Sequence, residues 1–245
     1  MRLSTMTGVC LLVAAVLILP AASPAEAQEP PQTSVIILVD MSASFAPLIP
    51  EDRTALESLA DAIVRMTAQQ AEGWEQPVKL MWAVIGSSSM KQTPPCGPAI
   101  QFRGMIAGRR PGVITRADSL RIWFKACVLR LMGGAAPPER YTDISGAVAL
   151  ASEVARQIQG LKVVFMLSDF AEDLPPGDSP ARFALRGEHV VLLYRPDARS
   201  RQGSDQVLAR VREWETRLRG AGASSVCRLP IKGITAGSVE ACLSS

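Results

Sequence analysis

The sequence predicts an α/β domain built on a doubly wound, mostly parallel sheet with helices on both faces. Three observations predict it. Apolar runs rich in β-branched residues recur at 34–39, 78–85, 161–167 and 190–194, without polar alternation, as in strands covered on both sides. Between them, apolar residues return every three or four positions, the spacing of one-sided helices. Strand and helix then alternate to the end of the chain, the order that winds a parallel sheet.

The first 27 residues read as a signal peptide. Arg2 gives a basic start, Val9 to Leu19 is uninterrupted apolar, and Ala25-Glu26-Ala27 supplies a small-x-small cleavage site. The apolar core is short for a membrane span, and Cys10 stands at its front, the wrong place for a lipoprotein cysteine. No later segment is apolar enough to cross a membrane, so the expectation is an exported periplasmic or secreted protein. Residues 28–33 form a polar, proline-bearing leader, and residues 34–245 suffice for one well-cored domain. The formal charge is +3, and cleavage removes one base (Arg2) and one acid (Glu26). So mild a balance favours neither nucleic acid nor an acidic surface as partner.

Four cysteines remain after cleavage: Cys96, Cys127, Cys227 and Cys242. In an oxidising compartment an even number points to disulfides, and four allow three pairings. Proximity favours Cys96–Cys127 and Cys227–Cys242, each closing a loop worth about 3 kcal/mol. Four buried free thiols are the alternative, and the spacing matches no zinc pattern.

After the first strand, residues 46–50 form a loop and 52–70 a helix with Leu56, Leu59, Ile63 and Met66 on one face. The second strand, 78–85, ends at Gly86 and three serines, and residues 87–98 are a loop. Residues 100–106 form a third strand, placed as a possible antiparallel edge. Thr115 and Asp118 have capping-box spacing before a helix carrying Leu120, Trp123, Phe124, Cys127 and Leu131 inward. Residues 132–141 are a loop leading into a helix from Thr142 to about Gln159. The strand 161–167 ends in Ser168-Asp169-Phe170. A proline-rich loop at 175–180, with a short helix near Ala181, precedes the strand 190–194. Val207, Val211, Trp214 and Leu218 mark the inner face of a helix over 204–219. Residues 225–231 form the last strand, and a short terminal helix holds Cys242.

Chemistry gathers at strand ends, where such sheets present ligands. Asp40-Met-Ser42-Ala-Ser44 closes the first strand. In extended backbone the two hydroxyls share a side with the carboxylate, an oxygen-only half-site for a hard cation. Taken alone, the triplet serves equally as a turn or helix cap. Thr142 and Asp169 belong to the same expected edge. Thr142 also fits a plain helix N-cap, and Asp169 a plain turn.

Together, Asp40, Ser42, Ser44, Thr142 and Asp169 resemble the von Willebrand factor type A domain with its metal-ion-dependent adhesion site. The resemblance spans about residues 34–231. It implies that Ser42, Ser44 and Thr142 offer hydroxyl oxygens to a divalent cation, while Asp40 and Asp169 act directly or through water. It further implies Mg²⁺, with Mn²⁺ or Ca²⁺ accepted by the same oxygens, and a protein partner presenting an Asp or Glu. Two positions depart from the pattern. Arg140 stands two residues before the threonine, where glycine is frequent, and is either a contact for the incoming carboxylate or solvated. Phe170 stands where glycine commonly follows the aspartate, and either covers the metal edge or packs. Glu172 and Asp173 tune the rim or form an exposed acidic turn.

A metal-assisted hydrolase has less support: the Asp40 triplet suits metal-assisted phosphoryl transfer, but the paired carboxylates and catalytic lysine that this would want are not evident at the same edge. His189, the sole histidine, precedes a strand, where an edge or core role is usual. Neither a nucleophile elbow nor a phosphate-cradling glycine loop is present. A structural subunit of an envelope complex is compatible with the same fold.

Overall fold

The strand at the centre is β1 (Thr33–Asp40), all eight of its residues buried. In the computed structural model the described residues are 33–45, 53–70, 78–91, 100–102, 113–114, 122–123, 126–127, 138–157, 160–196 and 200–244. The expected signal peptide, the capping box at Thr115, Cys96 and most of the loop 132–141 lie outside them.

β1 pairs in parallel with β2 (Val78–Ile85) on one side and with β5 (Lys162–Leu167) on the other. β6 (His189–Tyr194) and β7 (Ser225–Pro230) extend the parallel sheet beyond β5. β3 (Ile100–Phe102) runs antiparallel to β2, and β4 (Val113–Ile114) pairs outside it, giving the order β4-β3-β2-β1-β5-β6-β7. The expected third strand is therefore antiparallel but is not the edge, a place that β4 takes. Residues 103–106 lie outside the description.

Alternation along β1 explains its continuous apolar run. Val35, Ile37 and Val39 pack with Leu59, Ala60, Ala62 and Ile63 of α1 (Arg53–Gln70) and with Val239 and Cys242 of α4 (Ala236–Leu243). Ile36 and Leu38 pack on the opposite face, with Ile144, Ala147, Val148 and Ala151 of α2 (Ile144–Ala155) and with Val207, Val211, Trp214 and Leu218 of α3 (Arg201–Gly220). Each buried Val, Leu or Ile among them contributes about 1.5–3 kcal/mol by leaving water. The result is the doubly wound α/β sheet, with helices on both faces.

Two expectations change. No helix forms near Ala181; Phe183 stacks on Trp214 with ring centroids 6.3 Å apart, and Leu185 donates from its main-chain N to the Ala221 carbonyl at 2.8 Å. Prolines at 175, 176 and 180 remove helix donors there, and this extended strap covers α3 instead. Gly222, at φ +102°, admits it, because a Cβ would sit 2.5 Å from the Leu185 carbonyl. Secondly, α2 begins at Ile144 with Asp143, not Thr142, as its N-cap, and ends at Ala155.

Of the expected disulfides, Cys227–Cys242 is formed, joining β7 to α4. Cys127 is buried and disulfide-bonded. Among the described residues no helix is long and apolar enough to cross a membrane.

Candidate metal centre

The strand order places a topological switch between β1 and β5, since the chain leaves β1 for β2 on one side and β5 for β6 on the other. Crevices at such points, outside the carboxyl ends of the strands, are where α/β sheets bind ligands. Asp40 ends β1 there. Its Oδ1 accepts from the Ser42 main-chain N at 2.8 Å, turning the chain back. The fully buried Phe45 anchors the turn, its N donating to the Ser42 carbonyl at 3.1 Å. The hydroxyls of Ser42 and Ser44 lie 3.1 Å apart. They meet through this turn, not through extended backbone as expected. Ser42 is buried and Ser44 is exposed.

The segment before α2 laces the edge together. Glu139 docks its main chain on the β1 turn, donating to the Met41 carbonyl at 2.8 Å and accepting from Ala43 N at 2.9 Å. Its carboxylate accepts from the Ser87 hydroxyl at 2.7 Å. Thr142 exchanges main-chain bonds with Asp173, at 2.6 and 3.0 Å, and Asp143 N donates to the Gly86 carbonyl at 2.8 Å. Asp143 takes the cap with its Oδ1, 2.7 Å from Gly146 N. The buried Thr142 hydroxyl is thereby left out of helix capping.

From β5, the Ser168 hydroxyl donates to Asp40 Oδ2 at 2.5 Å and accepts from Phe170 N at 2.8 Å. Asp169 accepts from Ala171 N at 2.9 Å through Oδ1. Its charge is close enough to push up the pKa of Asp40. Burial is the larger cause, and it raises that value from 3.8 to about 6 against the pull of the bonds from Ser168 and Ser42.

The donors suit a hard cation. Among the described residues no three His, Cys, Asp or Glu side chains converge as a metal site, so an ion here would rest on two carboxylates and the hydroxyls. A carboxylate buried without a cation is costly unless it is neutralised or meets a metal. Both Asp40 oxygens accept hydrogen bonds, Oδ1 from the Ser42 main chain and Oδ2 from Ser168, which fits a residue that orients hydroxyls or reaches an ion through water.

The rim residues separate. Arg140 is exposed, its guanidinium over the Tyr141 ring at 5.1 Å. Phe170 is 1 % exposed and packs with the α2 and α3 core. Its φ of +59° is the left-handed region that favours glycine. Glu172 is a buttress: it accepts from Ser145 N at 2.6 Å and pairs with Arg217 at 3.2 Å. Asp173 is exposed, and its main chain holds Thr142. His189 opens β6 at the opposite end of the sheet, its Nδ1 2.9 Å from the Ser225 hydroxyl. Ser168, Glu139, Asp143 and Arg217 were not singled out in the sequence. Ser168 owes its place to the strand register: with Val39 opposite Leu167, the next residues are Asp40 and Ser168.

No family model matches the chain, and no curated protein matches it in sequence. Among solved structures, the pilus adhesin SpaC from Lactobacillus rhamnosus GG is similar in two crystal forms. Both have a TM-score of 0.45, with 12 % and 13 % identity, covering 89 % of this chain and 30 % of the adhesin. The human COPII-coat protein Sec24c is similar with a TM-score of 0.36 and 9 % identity, covering 89 % of this chain and 32 % of that one. The chain thus spans about a third of each of these proteins.

Proposed function

We propose that this is an exported binding domain of the von Willebrand factor type A kind, which captures an acidic residue of a protein partner through a divalent cation. Asp40, Ser42, Ser44, Thr142 and Asp169 would hold the ion, Mg²⁺ first and Mn²⁺ or Ca²⁺ as substitutes. The observation that carries the reading is the paired Ser42 and Ser44 hydroxyls, 3.1 Å apart, beside the buried Asp40 carboxylate, whose pKa burial pushes up to about 6. When bound, such an ion supplies an electrophilic position for one more anionic oxygen. The chain's own residues do the rest. Ser168 and the Ser42 main chain fix the Asp40 carboxylate, and Glu139 and Asp173 fix the loops carrying Ser42 and Thr142. The Cys227–Cys242 disulfide suits an oxidising compartment. Binding, not catalysis, is the role proposed.

A second reading has its own support. Both Asp40 oxygens accept protein hydrogen bonds, so the same residues can serve as an ion-free brace in a structural envelope subunit. Affinity capture from the native envelope, in Mg²⁺ against chelator, separates the two. Ser44→Ala is the clean variant, because Ser44 is exposed and its removal leaves Asp40 braced. The metal-bridged reading expects capture to fall at least tenfold in chelator and in Ser44→Ala, with unchanged unfolding. Capture indifferent to both would leave the structural reading standing.

A further inference from the structure

Helix α3 carries two arginines toward the loop after β5, seven residues and thus about two turns apart. Arg217 is fully engaged, with Nη1 3.2 Å from Glu172 Oε2, Nη2 2.9 Å from the Ser145 hydroxyl and its guanidinium 3.9 Å from the centre of the Trp214 ring. Arg210 is not. Its Nη1 stands 4.0 Å from Asp169 Oδ2, beyond hydrogen-bond range. Its Nε is buried without an acceptor among the described residues.

Asp169 spends Oδ1 on the Ala171 main chain, and Oδ2 is the oxygen that faces Arg210. We propose that Arg210 is a tethered counter-ion to Asp169 that sets the divalent-ion affinity of the site by competing for that carboxylate. The proposal rests on Asp169 belonging to the metal site. A guanidinium this close to a divalent ion would be repelled, so binding must push it away or be weakened by it. The Arg210 side chain is 34 % exposed, and no hydrogen bond to Asp169 is lost when it swings out. Its reach toward water makes the exchange cheap.

Mn²⁺ titration of the purified protein, read by the resonance of the free ion, tests this without any partner. Arg210→Gln is expected to tighten Mn²⁺ roughly three- to tenfold. Arg212→Gln removes the same charge from an exposed position on α3 and is expected to change affinity less than twofold. Arg210→Met, which keeps the apolar stem, provides the same measurement should Gln disturb the helix. Tight Mn²⁺ binding with equal affinity in wild type and both Arg210 variants overturns the counter-ion role and leaves the metal site in place. Binding that appears only in the Arg210 variants supports the role. No binding by any of them overturns both the role and the metal site.

Discussion

Asp40 takes up its proton at about pH 6 instead of 3.8 because burial disfavours its charged form. Between those values the folded chain binds more protons than the unfolded one. The stability contributed by this group is therefore full below about pH 4 and is lost as pH rises through about 6, a change of roughly 3 kcal/mol. Burial also raises Asp143 and adds a slope of the same sign. In chelator, urea unfolding should show stability declining from pH 4 to pH 7. Asp40→Asn should flatten most of that slope, and Mg²⁺ at pH 7 should recover stability in the wild type alone. At this scale the sequence displayed the candidate site residues but not those that hold them. Ser168 and Glu139 reach the site through contacts made far along the chain, which no local pattern encodes. Phe170 shows another limit: a buried ring outweighs a backbone conformation that costs about 1–2 kcal/mol.

The start of α2 is where an element and the site are joined. Gly146 has no room for a side chain, since a Cβ would lie 2.0 Å from Asp143 Oδ2. Gly146→Ala should displace the cap and cost about 1 kcal/mol, within the range for losing an N-cap. Because Asp143 and Thr142 are tied in sequence to the Gly86 and Asp173 main chains, the same change should weaken Mn²⁺ binding. Calorimetric titration alongside urea unfolding would register both effects; full stability with full affinity would contradict the linkage. Most elements were legible in the sequence because periodicity is local. The four inner residues of α3 were read correctly, and so was the extent of β2. The cap was misplaced because Thr142 and Asp143 are adjacent and both residue types cap helices. The strap over 178–185 was misread because its conformation follows from stacking on Trp214, not from its own pattern.

Across the whole molecule, two apolar layers close on one sheet, and that architecture was visible in the alternation of runs. What alternation does not encode is how the last helix is retained. α4 is short, and the Cys227–Cys242 bond, 15 residues in span, fastens it to β7. Replacing both cysteines by alanine should lower stability by about 3 kcal/mol. Comparing urea midpoints of this variant and the wild type checks it, and equal midpoints would deny the bond a structural role.

The hydrogen bond between Ser168 and Asp40 joins residues 128 positions apart, and this fixes an order in time. β1 is the earliest strand among the described residues, yet one of its two neighbours, β5, follows only after α2. Until β5 arrives, an edge of five consecutive apolar residues, Val35 to Val39, remains open to other chains. Pairing at such separation is slow and exposed to aggregation. A fragment ending before residue 160 would therefore be sticky as well as unable to form the ring of bonds around Asp40. The candidate site and the completed sheet therefore depend on the same long-range pairing.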